Sequence, residues 1–118
     1  MSMTTSKQGN AVIFDLEGKL GLGPPVDEFR SAWTEALAAG SQNVVVNLAK
    51  VPIIDSSGIG CLVRCHCAVA AKGGKLRIVA AGGVVRQALK LTNMDQFMEF
   101  HENEASALAS LGGTPAGD

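Results

Sequence analysis

The run Val44-Val45-Val46-Asn47-Leu48-Ala49-Lys50-Val51-Pro52-Ile53-Ile54-Asp55-Ser56-Ser57-Gly58-Ile59-Gly60 decides the architecture of this chain. Its opening half is β-branched, nearly continuously apolar and too short for a surface helix, the pattern of a strand buried in the middle of a sheet. It then passes through a short loop to Asp55, Ser56 and Ser57, residue types that favour helix starts. A hydroxyl placed there sits among unpaired backbone N–H groups at the positive end of the helix dipole, an environment that tolerates a covalently attached phosphate. Ser56 is therefore the leading candidate functional residue.

Working outward, Ala11–Glu17 reads as a strand and Lys19–Pro25 as a Gly/Pro loop. A helix is expected from about Val26 to Ala39, with Asp27 and Glu28 in its first turn, Phe29, Trp33, Ala36 and Leu37 at helical spacing, and Gly40 as its left-handed stop. After the central strand, a helix over Ser57–Lys72 carries Ile59, Leu62, Val63, His66 and Val69 along one stripe and ends at Gly73-Gly74. Lys75–Ala80 supplies a strand, Val84–Leu91 a short helix, Phe97–His101 a last strand and Glu104–Leu111 a final helix. Such alternation implies parallel strands joined by right-handed crossovers. The expected organisation is one α/β domain over residues 11–111, with a short polar segment at 1–10 and a flexible tail at 112–118.

Composition narrows the function. A chain of 118 residues with 47% hydrophobic content suits a single core. A net charge of -1, one Trp, four Phe and no Tyr provide neither a basic field nor stacking rings for nucleic acid, so no nucleic-acid partner is expected. No apolar run approaches the ~20 residues that cross a bilayer, and the first residues lack the pattern of a signal peptide, which implies a cytoplasmic protein without direct membrane insertion.

Other chemistries fare worse than a phosphate-tolerant hydroxyl at Ser56. Cys61, Cys65, His66 and Cys67 do not converge as metal ligands, because His66 and Cys67 rotate about 100° and 200° away from the face shared by the first two cysteines. Reduced thiols, with Cys61 and Cys65 packing inward and Cys67 exposed, are expected instead, and no metal or cofactor is. Ser56 lacks a Gly-x-Ser-x-Gly context, and neither His66 nor His101 shows an orienting partner, so catalysis is not expected. Gly18, Gly21 and Gly23 with Pro24-Pro25 do not follow a phosphate-loop order.

A β-branched strand ending in Asn47-Leu48, a hydrophobic loop, Asp55-Ser56-Ser57-Gly58-Ile59-Gly60, an apolar helix, Gly73-Gly74-Lys75-Leu76, a strand and a final helix together resemble the STAS domain of bacterial anti-sigma-factor antagonists. The resemblance covers Ala11 to Leu111 and implies a four- or five-stranded mixed, mainly parallel sheet with about four helices. It implies that Ser56 is phosphorylated by a kinase-type anti-sigma factor, that the unmodified protein binds that factor and releases a sigma factor, and that a metal-dependent serine phosphatase restores binding. It maps the switch surface onto Asp55, Ser56, Ser57 and Gly58, with Arg64 a further candidate contact on the following helix.

The chain departs from the family pattern at Gly18-Lys19-Leu20-Gly21, where Gly21 replaces an aspartate that engages the kinase; Asp27 or Glu28 is a nearby source of charge. The polar segment before Ala11 does not read as the family's additional edge strand. The alternative function is a non-phosphorylated STAS-like ligand-binding or scaffold subunit of a transport or signalling assembly, in which Ser56 only caps the helix. An enzyme with Ser56 as nucleophile is the third class.

Overall fold

A computed structural model describes residues 1–111. In chain order the elements are β1 (Ser2–Gln8), β2 (Ala11–Glu17), α1 (Pro24–Ala38), β3 (Asn43–Lys50), α2 (Ser56–Ala71), β4 (Leu76–Val79), α3 (Gly83–Leu91), a 3-10 turn (Met94–Gln96), β5 (Glu99–His101) and α4 (Glu104–Ser110). One five-stranded sheet has the order β1-β2-β3-β4-β5; β1 is antiparallel to β2, and the remaining neighbours are parallel. The fold is a mixed, mainly parallel α/β domain with four α-helices, as expected.

The central position of β3 follows from its composition. Val44, Val45 and Val46 are all fully buried because both faces of the strand are covered. Val44 and Val46 lie in register with Val12 and Phe14 of β2 and with Leu76 and Ile78 of β4, forming the floor on which α1, α2 and α3 pack. Val45 turns the other way, with Ile13 and Val79, toward Ala107 of α4. Asn47 also faces α4, and its Nδ2 donates to Glu104 Oε2 at 2.9 Å. Phe29 of α1 meets Phe14 edge to face, with ring centroids 5.8 Å apart.

Three expectations need correction. The segment 1–10, read as a polar lead-in outside the domain, contains the edge strand β1: Gly9 and Asn10 form a two-residue turn that pairs Gln8 with Ala11 and Ser2 with Glu17. Its polarity belongs to an exposed edge, where backbone pairing suffices and charge discourages further association. Helix α1 begins at Pro24 rather than Val26, since the two prolines carry a backbone angle already set for the first turn. The last strand is only Glu99–His101, because Met94–Gln96 coils into the 3-10 turn and Phe97 caps it. The tail expected at 112–118 lies outside the described residues.

Candidate functional site

Two loops build the site by zipping together at the C-terminal ends of β2 and β3. Leu20, fully buried, forms an isolated parallel bridge with Ile54: Leu20 N–H donates to Ile53 O at 3.1 Å, and Asp55 N–H donates to Leu20 O at 3.3 Å. Val51 and Ile54 anchor the second loop in the core, while Ile53 between them remains 47% exposed. The zipper brings the loop before α1 against the first turn of α2.

Asp55 is the N-cap of α2 and also joins the two loops. Its Oδ1 accepts from Gly58 N–H and its Oδ2 from Leu22 N–H, each at 3.0 Å. The Leu22 N–H, then that of Gly58, holds the carboxyl below its ordinary value; burial opposes this, and the nearby Lys19 adds a smaller lowering. Gly58 is required by close approach, since a Cβ there would overlap the Leu20 carbonyl oxygen and lie 2.7 Å from Ile54 Cγ1.

Gly21 is approached by side-chain ends rather than by backbone. A Cβ at this position would lie 2.7 Å from Asp55 Oδ2 and 2.8 Å from Lys19 Cε, so a residue-21 side chain requires these two side-chain ends to shift. Of the two acids expected to compensate, Asp27 lies beside the site, whereas Glu28 lines a different groove with Met3 and Ser31.

The first residue of α2, Ser56, is exposed, and Ser57 is half-buried. Both open on a groove between the two neighbouring helices: Val26, Asp27 and Arg30 come from α1, Gly60 and Arg64 from α2, and Leu22 from the preceding loop. Leu22 is 80% exposed, giving the rim an apolar edge. Of the expected site residues, Ser56, Ser57 and Arg64 therefore share the groove, while Asp55 and Gly58 hold the scaffold beneath it. Sequence reading missed Leu22 and Arg30. Arg30 is spaced i,i+3 from Asp27, which places both on one side of α1, but only the pairing of α1 with α2 brings them to Ser56.

The rest of α2 corrects the expected stripe. Its buried face is Gly58, Cys61, Leu62, Cys65 and Val69, with Ile59, Val63 and His66 at the margin. Small residues let α2 lie close to α1 and the sheet, so the thiols take the centre that Ile59 and His66 were expected to hold. Burial raises the pKa of both Cys61 and Cys65, whereas Cys67 is exposed. Among the described residues, no group of three or more His, Cys, Asp or Glu is arranged to hold a metal ion. None of their helices is long and apolar enough to cross a membrane.

The histidines also differ from expectation. His66 Nδ1 is buried without a hydrogen-bond partner among the described residues. His101 has the orienting contacts the sequence did not reveal: Nε2 lies 2.7 Å from Glu99 Oε1 and Nδ1 lies 2.8 Å from Ser106 Oγ. This arrangement fastens α4 to β5 and is separate from the Ser56 groove.

Comparison with known proteins agrees with this architecture. Residues 2–107 match the model of the STAS domain family. An anti-sigma F factor antagonist of Paenibacillus polymyxa is 26% identical over 70 residues, which cover 59% of this chain and 60% of that relative's length. The anti-sigma factor antagonist SpoIIAA in its unphosphorylated form has a TM-score of 0.84 at 19% identity, covering 98% of this chain and all, 100%, of that one. SpoIIAA of Bacillus in its phosphorylated form gives 0.75 at 18% identity, covering 92% and 98%. A sulfate transporter family protein from Wolinella succinogenes gives 0.71 at 15% identity, covering 86% and 84%. At these identities the solved structures establish the fold alone. With the family match spanning most of its length, the chain belongs to the STAS domain family.

Proposed function

We propose that this protein is a phosphorylation-switched anti-sigma-factor antagonist. Unmodified, it binds a cytoplasmic anti-sigma factor of the Ser/Thr-kinase type through the face around Ser56 and so releases a sigma factor. The kinase transfers the γ-phosphoryl group of ATP to Ser56 Oγ, with ADP leaving and the hydroxyl proton passing to the kinase. A metal-dependent serine phosphatase returns the hydroxyl. The protein itself is the regulated binding partner and performs no catalysis.

The observation that carries this reading is the division of labour at the start of α2: Asp55 and Gly58 are committed to the scaffold, whereas Ser56 stands exposed in a groove it shares with the exposed Leu22. An accessible hydroxyl beside an exposed apolar side chain suits both modification and docking. A phosphate brings about -1.5 to -2 charges. In the free protein, water solvates it and the helix dipole contributes roughly 0.3–2 kcal/mol in its favour. Inside an interface it loses that water, and a penalty of ~3 kcal/mol weakens binding by roughly a hundredfold.

A second reading, a non-phosphorylated scaffold subunit of a transport or signalling assembly, draws support from Gly21, which lacks the carboxylate that the family pattern places there. The likeness to the Wolinella transporter-family protein adds to it. The two readings part in an affinity capture from extract of the source cells using wild type, Ser56→Ala and Ser56→Asp as baits. The switch predicts a kinase-like anti-sigma factor on the first two and its loss on the third. Equal recovery of a transport assembly on all three, without a kinase, overturns it.

A further inference from the structure

The start of α2 has little left with which to hold a phosphate through its backbone. The Asp55 carboxylate already accepts from Gly58 N–H and Leu22 N–H, and Ser57 N–H contributes to the same carboxylate. A phosphate on Ser56 must find other donors, and the groove supplies two guanidinium groups.

Arg64 lies eight residues beyond Ser56, about 12 Å along the helix axis. Its side chain leans toward the N-terminus, as helical side chains do, and its Nη1 lies 3.7 Å from where a Cβ on Gly60 would stand. Gly60 is one turn from Ser56 on the same side of α2, so the absent side chain leaves the space between Ser56 and Arg64 open. Arg30 reaches the groove from α1, where its partner is Asp27 at 3.6 Å in an exposed i,i+3 pair. Such a pair is weak and yields readily to a stronger anion. Both guanidiniums counteract the burial that raises the Cys61 thiol, consistent with their charges standing on one flank of α2.

We infer that the phosphate on Ser56 is held in cis by Arg64 and Arg30. Modification then acts twice on the partner surface, adding an anion and occupying its two cations. The planar guanidinium matches phosphate oxygens in paired hydrogen bonds, an arrangement that an ammonium does not reproduce. Before modification the groove carries two arginines against Asp27; afterwards the phosphate offsets both. The inference rests on Ser56 being the switch residue, but concerns how its phosphate is bound.

Phosphoserine installed at position 56 during translation provides the modified protein without any kinase. Its phosphate is titrated by phosphorus NMR in the wild-type background and in Arg64→Gln, Arg30→Gln and Arg86→Gln. Arg86 is the control, because its guanidinium lies over Phe100, 5.1 Å from the ring centre. The clamp predicts a second phosphate ionisation below the usual value of about 6. That ionisation rises by about 0.5–1 pH unit in each groove variant and stays fixed in Arg86→Gln. Identical titrations in all four proteins overturn the clamp. Both groove arginines are exposed, and matching urea midpoints of the unmodified variants confirm that folding is not the cause. Loss of the partner on phosphorylation, with identical titrations, refutes the clamp while leaving the switch intact; retention of the partner refutes the switch by a separate readout.

Discussion

Two glycines of α2, one helical half-turn apart, should respond to alanine with opposite signs. At Gly60 the nearest atom to a new Cβ is Arg64 Nη1 at 3.7 Å, an ordinary contact with the movable end of a side chain. Gly60→Ala therefore gains helix propensity, up to about 1 kcal/mol. At Gly58 the new Cβ runs into the Leu20 carbonyl oxygen, with Ile54 Cγ1 at 2.7 Å and Leu20 Cγ at 3.1 Å. That oxygen accepts from Asp55 N–H, so displacing it opens the zipper between the loops. Overpacking costs about 1–3 kcal/mol, and the strained hydrogen bond adds about 0.5–1.5 kcal/mol. A propensity gain of about 0.5–1 kcal/mol offsets part of this, leaving a net loss of about 0.5–4 kcal/mol. At about 4 °C per kcal/mol for a domain of this size, Gly58→Ala melts about 2–16 °C below wild type and Gly60→Ala up to about 4 °C above it. Thermal denaturation followed by circular dichroism reads both. A Gly58→Ala protein that melts at or above wild type refutes the close-approach argument, as does an equal loss in Gly60→Ala.

Other substitutions separate the scaffold from the surface. The advantage of wild type over Asp55→Asn is fully present above the ordinary aspartate value of 3.8 and is lost as pH falls through the lowered folded-state value, because the folded protein favours the carboxylate; urea midpoints from pH 2 to 6 test this, and a pH-independent difference contradicts it. Phe29→Ala removes a fully buried ring packed on Phe14 and costs about 3–5 kcal/mol by urea denaturation. Leu22→Ala, at a residue 80% exposed, changes stability by less than about 0.5 kcal/mol but reduces capture of the anti-sigma factor. In the native protein a thiol reagent modifies Cys67 rapidly, while Cys61 and Cys65 react only after unfolding, as peptide mapping will show.

The sequence revealed the centre of the fold more readily than its margins, for physical reasons. Val44–Val46 are apolar on both faces because both are covered, so a central strand follows from composition. The edge strand β1 leaves no such trace, since Ser2–Gln8 contributes mainly backbone pairing and, apart from Met3 at the edge of the core, its side chains meet water. The capping role of Asp55 was legible from the residues after it, but its second bond to Leu22 depends on the Leu20–Ile54 bridge, a contact distant in sequence. Gly21 looked only like a loss of charge; the packing adds that the Asp55 and Lys19 side-chain ends lie close to where its Cβ would stand. His101 looked unpartnered because Ser106 approaches it only when α4 turns back onto β5.

The most direct test of the switch is the affinity of the captured anti-sigma factor for the unmodified protein and for the same protein carrying phosphoserine at position 56, measured by titration calorimetry in one buffer. The account predicts binding by the unmodified protein and a weakening of about a hundredfold or more with the phosphate. Equal affinities for the two forms would contradict it.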